Sequence, residues 1–284
     1  MEVILGAGIS GLLISSRRRD SIVLENQNRI GGVFSYDEIS GFNIPLHPPL
    51  VKEKCFTSLL DFAQIETDVI YEKENYLSAK LTIDKIPDWL LPDNKMYYIK
   101  NLSEIIQNLS LKARIRLIGS YFIRNDKLVL NTGEIILWDR IYSTIPRRIF
   151  DNSKVFRSIS IAEAVFTTKK RQGSQIVVNG DKGVSFSHVF SIDWLNPSFD
   201  VVYVLVPFLN IVPSWDKVYS DLKRKRILLR DEIISFRYRV IKDGILIDED
   251  NKIGEKDDNI TFCGRLGKWK NFNLCQTIDD SLNC

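Results

Sequence analysis

The sequence predicts an α/β protein in which a doubly wound, mostly parallel sheet is joined to a smaller, β-rich region. Three observations carry that prediction. Residues 2–25 run strand, glycine turn, helix, strand; residues 260–282 return to strand followed by helix; and the middle of the chain is dominated by apolar alternation of period two. At 284 residues the chain can bury one large core or two modest ones.

Each element follows from local pattern. EVIL at 2–5 is a short buried strand, Gly6 to Gly11 is a turn into a helix, and SIVLEN at 21–26 is a second buried strand, together a compact βαβ unit. Residues 30–46 read as glycine-bearing loop and short strand. Phe56, Leu59, Leu60 and Ala63 share one helical face, predicting a helix within 56–68. Between 101 and 146 the pattern predicts a helix over 103–110, a strand over 114–118, two strands joined near Arg124–Lys127, and a buried strand ending at Thr144-Ile145-Pro146. VFRSISIAEAVFTT at 155–168 alternates as a strand does, and NGDKG at 179–183 is the signal of a hairpin. A helix near 214–228, a strand at ITFCG (260–264) and a helical tail from Gln276 to Leu282 complete the reading.

Composition excludes several classes. The 39 basic and 36 acidic residues nearly cancel, at a formal charge of +3, which argues against a nucleic-acid partner; RRR at 17–19 and KRKR at 223–226 read as solvated faces. Four scattered cysteines (Cys55, Cys263, Cys275, Cys284) without a C-x-x-C pair, and only two histidines, predict no metal site and unlinked thiols. The longest apolar run, VVYVLVPFLNIV at 201–212, is broken by Pro207 and Asn210 and falls short of the roughly 18 residues of a spanning helix. Met1 stands almost inside the first strand, with no signal peptide before it, so a cytoplasmic location is expected.

Gly6-Ala7-Gly8-Ile9-Ser10-Gly11 fits G-x-G-x-x-G. The first glycine makes the tight turn, the second lets a pyrophosphate approach the backbone, and the third lets helix and strand pack closely. The helix N-terminus offers unpaired N–H groups and a partial positive charge to the phosphates. Glu25, ending the next strand, supplies the carboxylate that binds ribose hydroxyls.

The residues that follow, Glu25-Asn26-Gln27-Asn28-Arg29-Ile30-Gly31-Gly32, resemble the extended fingerprint of the glutathione-reductase-like FAD proteins, in their amine-oxidase and protoporphyrinogen-oxidase branch. ITFCGRLGKWKNFNLCQTIDDSL at 260–282 resembles the closing motif of that branch, a strand ending in Gly-Arg before a helix aimed at the flavin. The resemblance implies FAD as cofactor, adenosine at the βαβ unit and isoalloxazine towards a second domain. It implies contacts from Gly6, Gly8, Ile9, Ser10, Gly11, Glu25, Asn26, Arg29, Gly31, Gly32, Phe122, Gly264, Arg265, Asn273 and Leu274.

Within the branch the sequence is most similar to the UDP-galactopyranose mutases, through residues 264–274, 176–189, Tyr142 to Pro146, Phe150 and Phe156-Arg157-Ser158. It also departs from them. Asn271 replaces the tyrosine that holds the sugar-nucleotide diphosphate, Asn273 replaces an aspartate, and His188 replaces an arginine. Pro45-Leu46-His47-Pro48-Pro49-Leu50 stands where the mutases carry a flavin-facing loop, and residues 56–98 are too few for the uridine-binding insertion.

The expected division is a discontinuous FAD-binding domain (1–50, 95–155 and 245–284) of Rossmann-like type and a substrate domain (51–94 and 156–244). His47, His188 and Trp269 are the candidate catalytic groups, each with a plainer reading as a structural imidazole or core ring; Trp194 and Tyr238 could wall a pocket. The leading function is an FAD-dependent oxidoreductase exchanging a hydride with a small organic substrate. The alternatives are a mutase-like flavin isomerase and a non-catalytic FAD-binding module or partner subunit. Substrate and oligomeric state are not encoded in any motif.

Overall fold

The computed structural model describes residues 1–124, 127–151, 156–171, 173–247 and 259–284. In chain order, β1 (Glu2–Leu5), α1 (Ile9–Arg17) and β2 (Ile22–Glu25) open the fold. Then come β3 (Tyr36–Ile39), β4 (Phe42–Pro45), β5 (Leu50–Val51), β6 (Phe62–Glu66), β7 (Asp68–Glu72), α2 (Leu77–Leu81), β8 (Lys95–Ile99) and α3 (Leu102–Lys112). β9 (Arg114–Leu117), β10 (Tyr121–Arg124), β11 (Lys127–Leu130), β12 (Ile135–Leu137) and β13 (Arg140–Ser143) follow. The strand-rich middle holds β14 (Ser158–Thr168), β15 (Gln175–Asn179), β16 (His188–Ile192), β17 (Asp200–Phe208), α4 (Trp215–Arg224) and β18 (Ile233–Leu246). β19 (Ile260–Phe262), α5 (Gly264–Gly267) and α6 (Leu274–Asn283) close it.

Five strands form an all-parallel sheet in the order β19-β13-β1-β2-β9. Its central strand β1 is the start of the chain and its edge strand β19 comes from the end. Val3, Ile4, Leu5, Val23 and Leu24 are buried, as a sheet covered on both faces requires. On one face α1, α3 and α6 bring Leu12, Leu13, Ile105, Ile106, Leu274 and Ile278 into one apolar cluster. On the other, the three-stranded sheet β10-β11-β12 contributes Leu128, Leu130 and Ile136 to a cluster with Val3 and Leu5.

The second sheet is six-stranded, β18-β14-β17-β16-β15-β7, antiparallel except for the β15–β7 pair. Odd-numbered residues of β14 (Ile159, Ile161, Val165) join a core with Leu77 and Leu81 of α2; even-numbered ones (Ala162, Ala164, Phe166) join another with Val218 and Leu222 of α4. Among the described residues no helix is long and apolar enough to cross a membrane.

Several expectations need correction. The helix expected within 56–68 is a turn followed by β6, because Phe62 to Glu66 pairs antiparallel with β8 and that pairing outweighs the helical spacing. α4 stops at Arg224, four residues short of the expected helix, and Arg226 beyond it lies in the left-handed region at φ 57°. The β15–β16 hairpin exists, but its connection is longer than NGDKG alone. At the expected Arg124–Lys127 junction, residues 125 and 126 lie outside the described residues, as does Val155.

The cysteines are not free thiols. Cys55 bonds Cys275 and Cys263 bonds Cys284, with Cα–Cα separations of 5.9 and 6.1 Å. The sequence hides this because each bond depends on where α6 docks. One bond holds its first turn and the other the residue just past its end.

Candidate functional site

The glycine turn does what its spacing requires. Gly6 sits at φ 98°, and a Cβ on Gly11 would stand 1.9 Å from the Gly6 carbonyl oxygen, so α1 can leave β1 this closely only with glycine there. Gly8 differs from both. Its φ is −72°, and the nearest atom to a Cβ placed on it is Gly32 Cα at 4.0 Å. It caps α1 with no side-chain hydrogen bond, leaving the first helical N–H groups to an outside acceptor.

Gly31 and Gly32 close the other wall. Gly31 N–H donates to the Ala7 carbonyl at 2.8 Å, Gly8 and Gly31 form an isolated parallel bridge, and a Cβ on Gly32 would come within 3.2 Å of Gly8 Cα. Two glycine segments thus face each other with backbone alone between them. Glu25 is buried at the end of β2, where its carboxylate accepts from Ala7 N–H (2.7 Å) and Gln27 N–H (2.8 Å). Each oxygen keeps a lone pair for a further donor.

The C-terminal motif meets the same cradle. Gly264, at φ 67°, lies so close to α1 that a Cβ would be 2.4 Å from Ser10 Oγ, and its N–H donates to Asp280 at 2.6 Å. Asn273 caps α6 reciprocally with Gln276 (2.9 and 3.0 Å), so its side chain is spent on the helix, while Leu274 packs among Ile9 and Ile105. The N- and C-terminal motifs therefore touch through Ser10 and Gly264. Ile9 is buried beneath them.

Other expected residues stand elsewhere. Arg265 donates to the carbonyls of Asp243 (2.6 Å) and Gly244 (3.2 Å), and burial lowers its pKa to about 10 against the pull of Asp243. Asn26 and Arg29 are exposed, Arg29 pairing with Asp37 at 2.9 Å. Phe122 is also exposed, whereas its neighbour Tyr121 lies near Glu25, whose charge adds to burial in pushing the phenol well up. Alternation along β10 decides which of the two faces inward.

The histidines separate sharply. His188 is fully buried, its Nε2 2.8 Å from the Leu90 carbonyl and its Nδ1 2.9 Å from Ser187 Oγ, and burial drops its pKa to about 4. Both nitrogens are used. His47, in the proline-rich segment after β4, is part-exposed, and its Nδ1 lies 2.7 Å from Glu163. Glu163 is completely buried in the middle of β14, opposite Arg239 of β18, which donates to it through Nε (2.8 Å) and Nη2 (2.6 Å). Burial favours the protonated acid, but Arg239 and His47 together hold the carboxyl below its usual range.

Arg239 also donates to the carbonyls of Val33 (2.6 Å) and Gly32 (3.4 Å) and to Ser35 Oγ (3.2 Å). The cluster is therefore fastened to the glycine cradle. Phe34 stands edge-on to His47 at 5.7 Å, Tyr203 donates to the Pro45 carbonyl at 3.0 Å, and Tyr98 packs on Trp194 at 4.4 Å. Burial, with Tyr98 alongside, pushes the Tyr36 phenol well up, so the ring stays neutral. Trp269 is fully buried at φ 53°, with Phe156 5.1 Å away, and Tyr238 borders Trp215 on the α4 side of the sheet. Asn271 is consumed by β18, accepting from Leu246 N–H (2.9 Å) and donating to the Leu246 carbonyl (2.7 Å).

Sequence reasoning missed Glu163 and Arg239. The available signal was a lone glutamate inside an apolar strand, SISIAEAVFTT. Such a charge needs a partner. Among the described residues no cluster of three or more His, Cys, Asp or Glu could hold a metal ion.

No family profile and no curated protein matches the sequence. Solved structures do match the fold. A reduced UDP-galactopyranose mutase superposes with a TM-score of 0.73 at 11% identity, over 99% of this chain and 92% of the mutase chain. An oxidoreductase from Methanosarcina mazei gives 0.67 at 9% identity, over 99% of both chains. A putrescine oxidase double mutant gives 0.61 at 11%, over 99% of this chain and 97% of its own. The likeness read at the two ends of the sequence extends, as a fold, along the whole chain.

Proposed function

We propose that the chain is an FAD-dependent oxidoreductase that exchanges a hydride between FAD and a small organic substrate. The observation that carries this reading is the cradle at Gly8, open on its outer side, walled by Gly31 and Gly32, and joined by the C-terminal motif through Gly264 and Ser10. These residues fit a pyrophosphate: backbone can approach it, a helix N-terminus of nine residues faces it, and no side chain obstructs it. Glu25 would hold the ribose hydroxyls, with the backbone of Gly8, Ile9, Ser10, Gly31 and Gly32 around the phosphates. The bound flavin supplies hydride acceptance. This chain's own residues bind it, orient it and line the substrate side.

The division into a Rossmann-like FAD domain (1–50, 95–155, 245–284) and a substrate domain (51–94, 156–244) belongs to the same reading. In its support, every strand of the parallel sheet falls in the first set. Purified protein should be yellow and release FAD, not FMN, on denaturation. Colourless protein that takes up no FAD on reconstitution would overturn the reading.

The mutase-like isomerase is supported by the structural likeness to a reduced mutase. Against it stands Asn271, whose side chain is spent on Leu246 and cannot replace a diphosphate-binding tyrosine. Dithionite-reduced protein should leave UDP-galactopyranose unchanged; turnover above a flavin-only control would reverse this ranking. Disulfides are rare in the reducing cytoplasm of mesophiles. The cytoplasmic location expected from the sequence is thus a proposal that a thiol count on freshly extracted protein tests.

A further inference from the structure

We propose that β18 is a dimerisation edge. Two copies of this chain pair β18 to β18, antiparallel, about a two-fold axis at Tyr238, and cover the apolar face that this strand shares with the segment after β17.

The observation is two unmet needs on one strand. β18 is 14 residues long and stands at the edge of the six-stranded sheet, where among the described residues it pairs with β14 alone. The outer row of backbone N–H and C=O groups on such an edge is a template for another strand. On the α4 side of the sheet, its even-numbered residues Ile234, Phe236, Tyr238 and Val240 are 54, 53, 37 and 39% exposed. Leu209, Ile211 and Val212, between β17 and α4, are 52, 83 and 48% exposed. The two groups form one surface. Phe208 and Trp215, which bracket that segment, pack on the same core, and Trp215 stands edge-on to Tyr238 at 4.9 Å.

The opposite edge of the same sheet is built differently. β7 has five residues, begins at Asp68, ends at Glu72, and exposes Ile70 as its one large apolar side chain. Charge guards that edge, whereas the even positions of β18 from Ile234 to Val240 carry none. The seven apolar residues of the β18 surface expose about 700 Å² per copy, against ~800 Å² per partner in interfaces of standard size and the few hundred Å² that a monomer ordinarily leaves bare. A second copy meets both needs, because a two-fold axis lets one row supply both sides of the contact. A lipid surface meets only one, since an open strand edge finds no hydrogen-bond partner in hydrocarbon.

The register follows from the strand itself. The pairing of β18 with β14 is regular from Ser235 to Ile241, between two register shifts, and Tyr238 is the centre of that stretch. A two-fold axis there sets Phe236 against Val240 and Tyr238 against its counterpart, aromatic and β-branched cross-strand pairs that favour a sheet. Arg237 and Arg239 also meet across the axis, on the other face, but each is already ion-paired, with Asp37 at 3.1 Å and with Glu163 at 2.6 Å. Arg239 reaches the carbonyls of Gly32 and Val33 on that other face, so the dimer leaves the glycine cradle uncovered.

Sedimentation velocity of the whole chain over a concentration series should show a monomer–dimer equilibrium. Val240→Lys, which sets a charge against Phe236 across the axis, should weaken the dimer at least ~10-fold, while Ile70→Lys on the opposite edge should leave it unchanged. All four cysteines are bonded, so Tyr238→Cys introduces the one free thiol. A short bis-maleimide should then link two chains through Tyr238→Cys and not through Ile70→Cys, a reading that stands even if Val240→Lys folds poorly. A wild type that stays monomeric at every concentration overturns the proposal, as does an undiminished dimer in folded Val240→Lys or a dimer that Tyr238→Cys fails to cross-link. Monomeric protein that co-sediments with phosphatidylcholine–phosphatidylserine vesicles overturns it too, and assigns the surface to lipid.

Discussion

The parallel sheet and the six-stranded sheet specify their sites in different ways. Around the parallel sheet, the groups that matter sit in two short segments, Gly6 to Gly11 and Gly31–Gly32, and what they do depends on φ angles and missing side chains. Around the six-stranded sheet, the groups that matter are His47, Glu163 and Arg239, separated along the chain by 116 and 76 residues and joined only by strand register. One site is written in local backbone geometry. The other exists only after the sheet has formed.

That contrast can be broken first at the terminal helix, where the largest effect is expected. α6 is tied at both ends, through Cys275 and through Cys284. The Cys55–Cys275 bond spans 220 residues and the Cys263–Cys284 bond 21, so loop-closure entropy ranks them at about 5 and about 3 kcal/mol. Cys55→Ser should therefore lower unfolding stability more than Cys263→Ser in denaturant titrations. An equal loss from both would show that docking of α6, not loop closure, sets the contribution.

Gly11→Ala should come next. A methyl group 1.9 Å from a backbone oxygen forces α1 away from β1, at a cost near the upper end of the ~1–3 kcal/mol seen for overpacked cores. Thermal unfolding measures it directly. A shift within error would mean that the turn is looser than its geometry.

In the six-stranded sheet the sharpest probe is acid. The His188 pKa falls from 6.5 to about 4 on folding, so the unfolded chain takes up the proton first as pH drops. Its contribution is complete above pH 6.5 and declines between 6.5 and about 4, by about 3 kcal/mol in all. Glu163, lowered by Arg239 and His47 against its burial, acts in the same direction, beginning only below the usual glutamate value of 4.5. Urea unfolding between pH 7 and pH 4.5 should thus show a slope that His188→Gln flattens. A slope retained in that variant would assign the acid sensitivity to other groups.

How much was legible follows the same boundary. The βαβ unit, the terminal helix and the glycine cradle were readable because each is fixed by residues within one short stretch, and Asn273 even announces its cap by Gln276 three positions on. Glu163 was not readable as a site residue. A single charge in a strand says that a partner exists but not which one, and neither His47 nor Arg239 is marked by any spacing. The cysteines failed for the same reason, since their pairing is set by where α6 lies. Phe122 and Tyr121 show the limit at its finest: adjacent residues on one strand, of which alternation, not identity, chooses the one beside Glu25.

The smallest effect on stability is expected at Gly8, and it separates the two functions of the glycine turn. Gly8 has an ordinary helical-cap φ of −72°, and a Cβ there would meet nothing nearer than 4.0 Å. Gly8→Ala should therefore change unfolding free energy by no more than about 0.5 kcal/mol, as at an unobstructed site. The same methyl group would stand in the space where backbone must approach a pyrophosphate, and it cannot withdraw, because α1 behind it is held by Gly11 on Gly6. FAD affinity should fall while the fold stays intact, the opposite of Gly11→Ala. Titration of the apoprotein with FAD, beside thermal unfolding of the same sample, reads both quantities at once. If Gly8→Ala bound FAD as tightly as the wild type, the phosphates would lie elsewhere, and the cradle would be only a packing device between α1 and the Gly31–Gly32 turn.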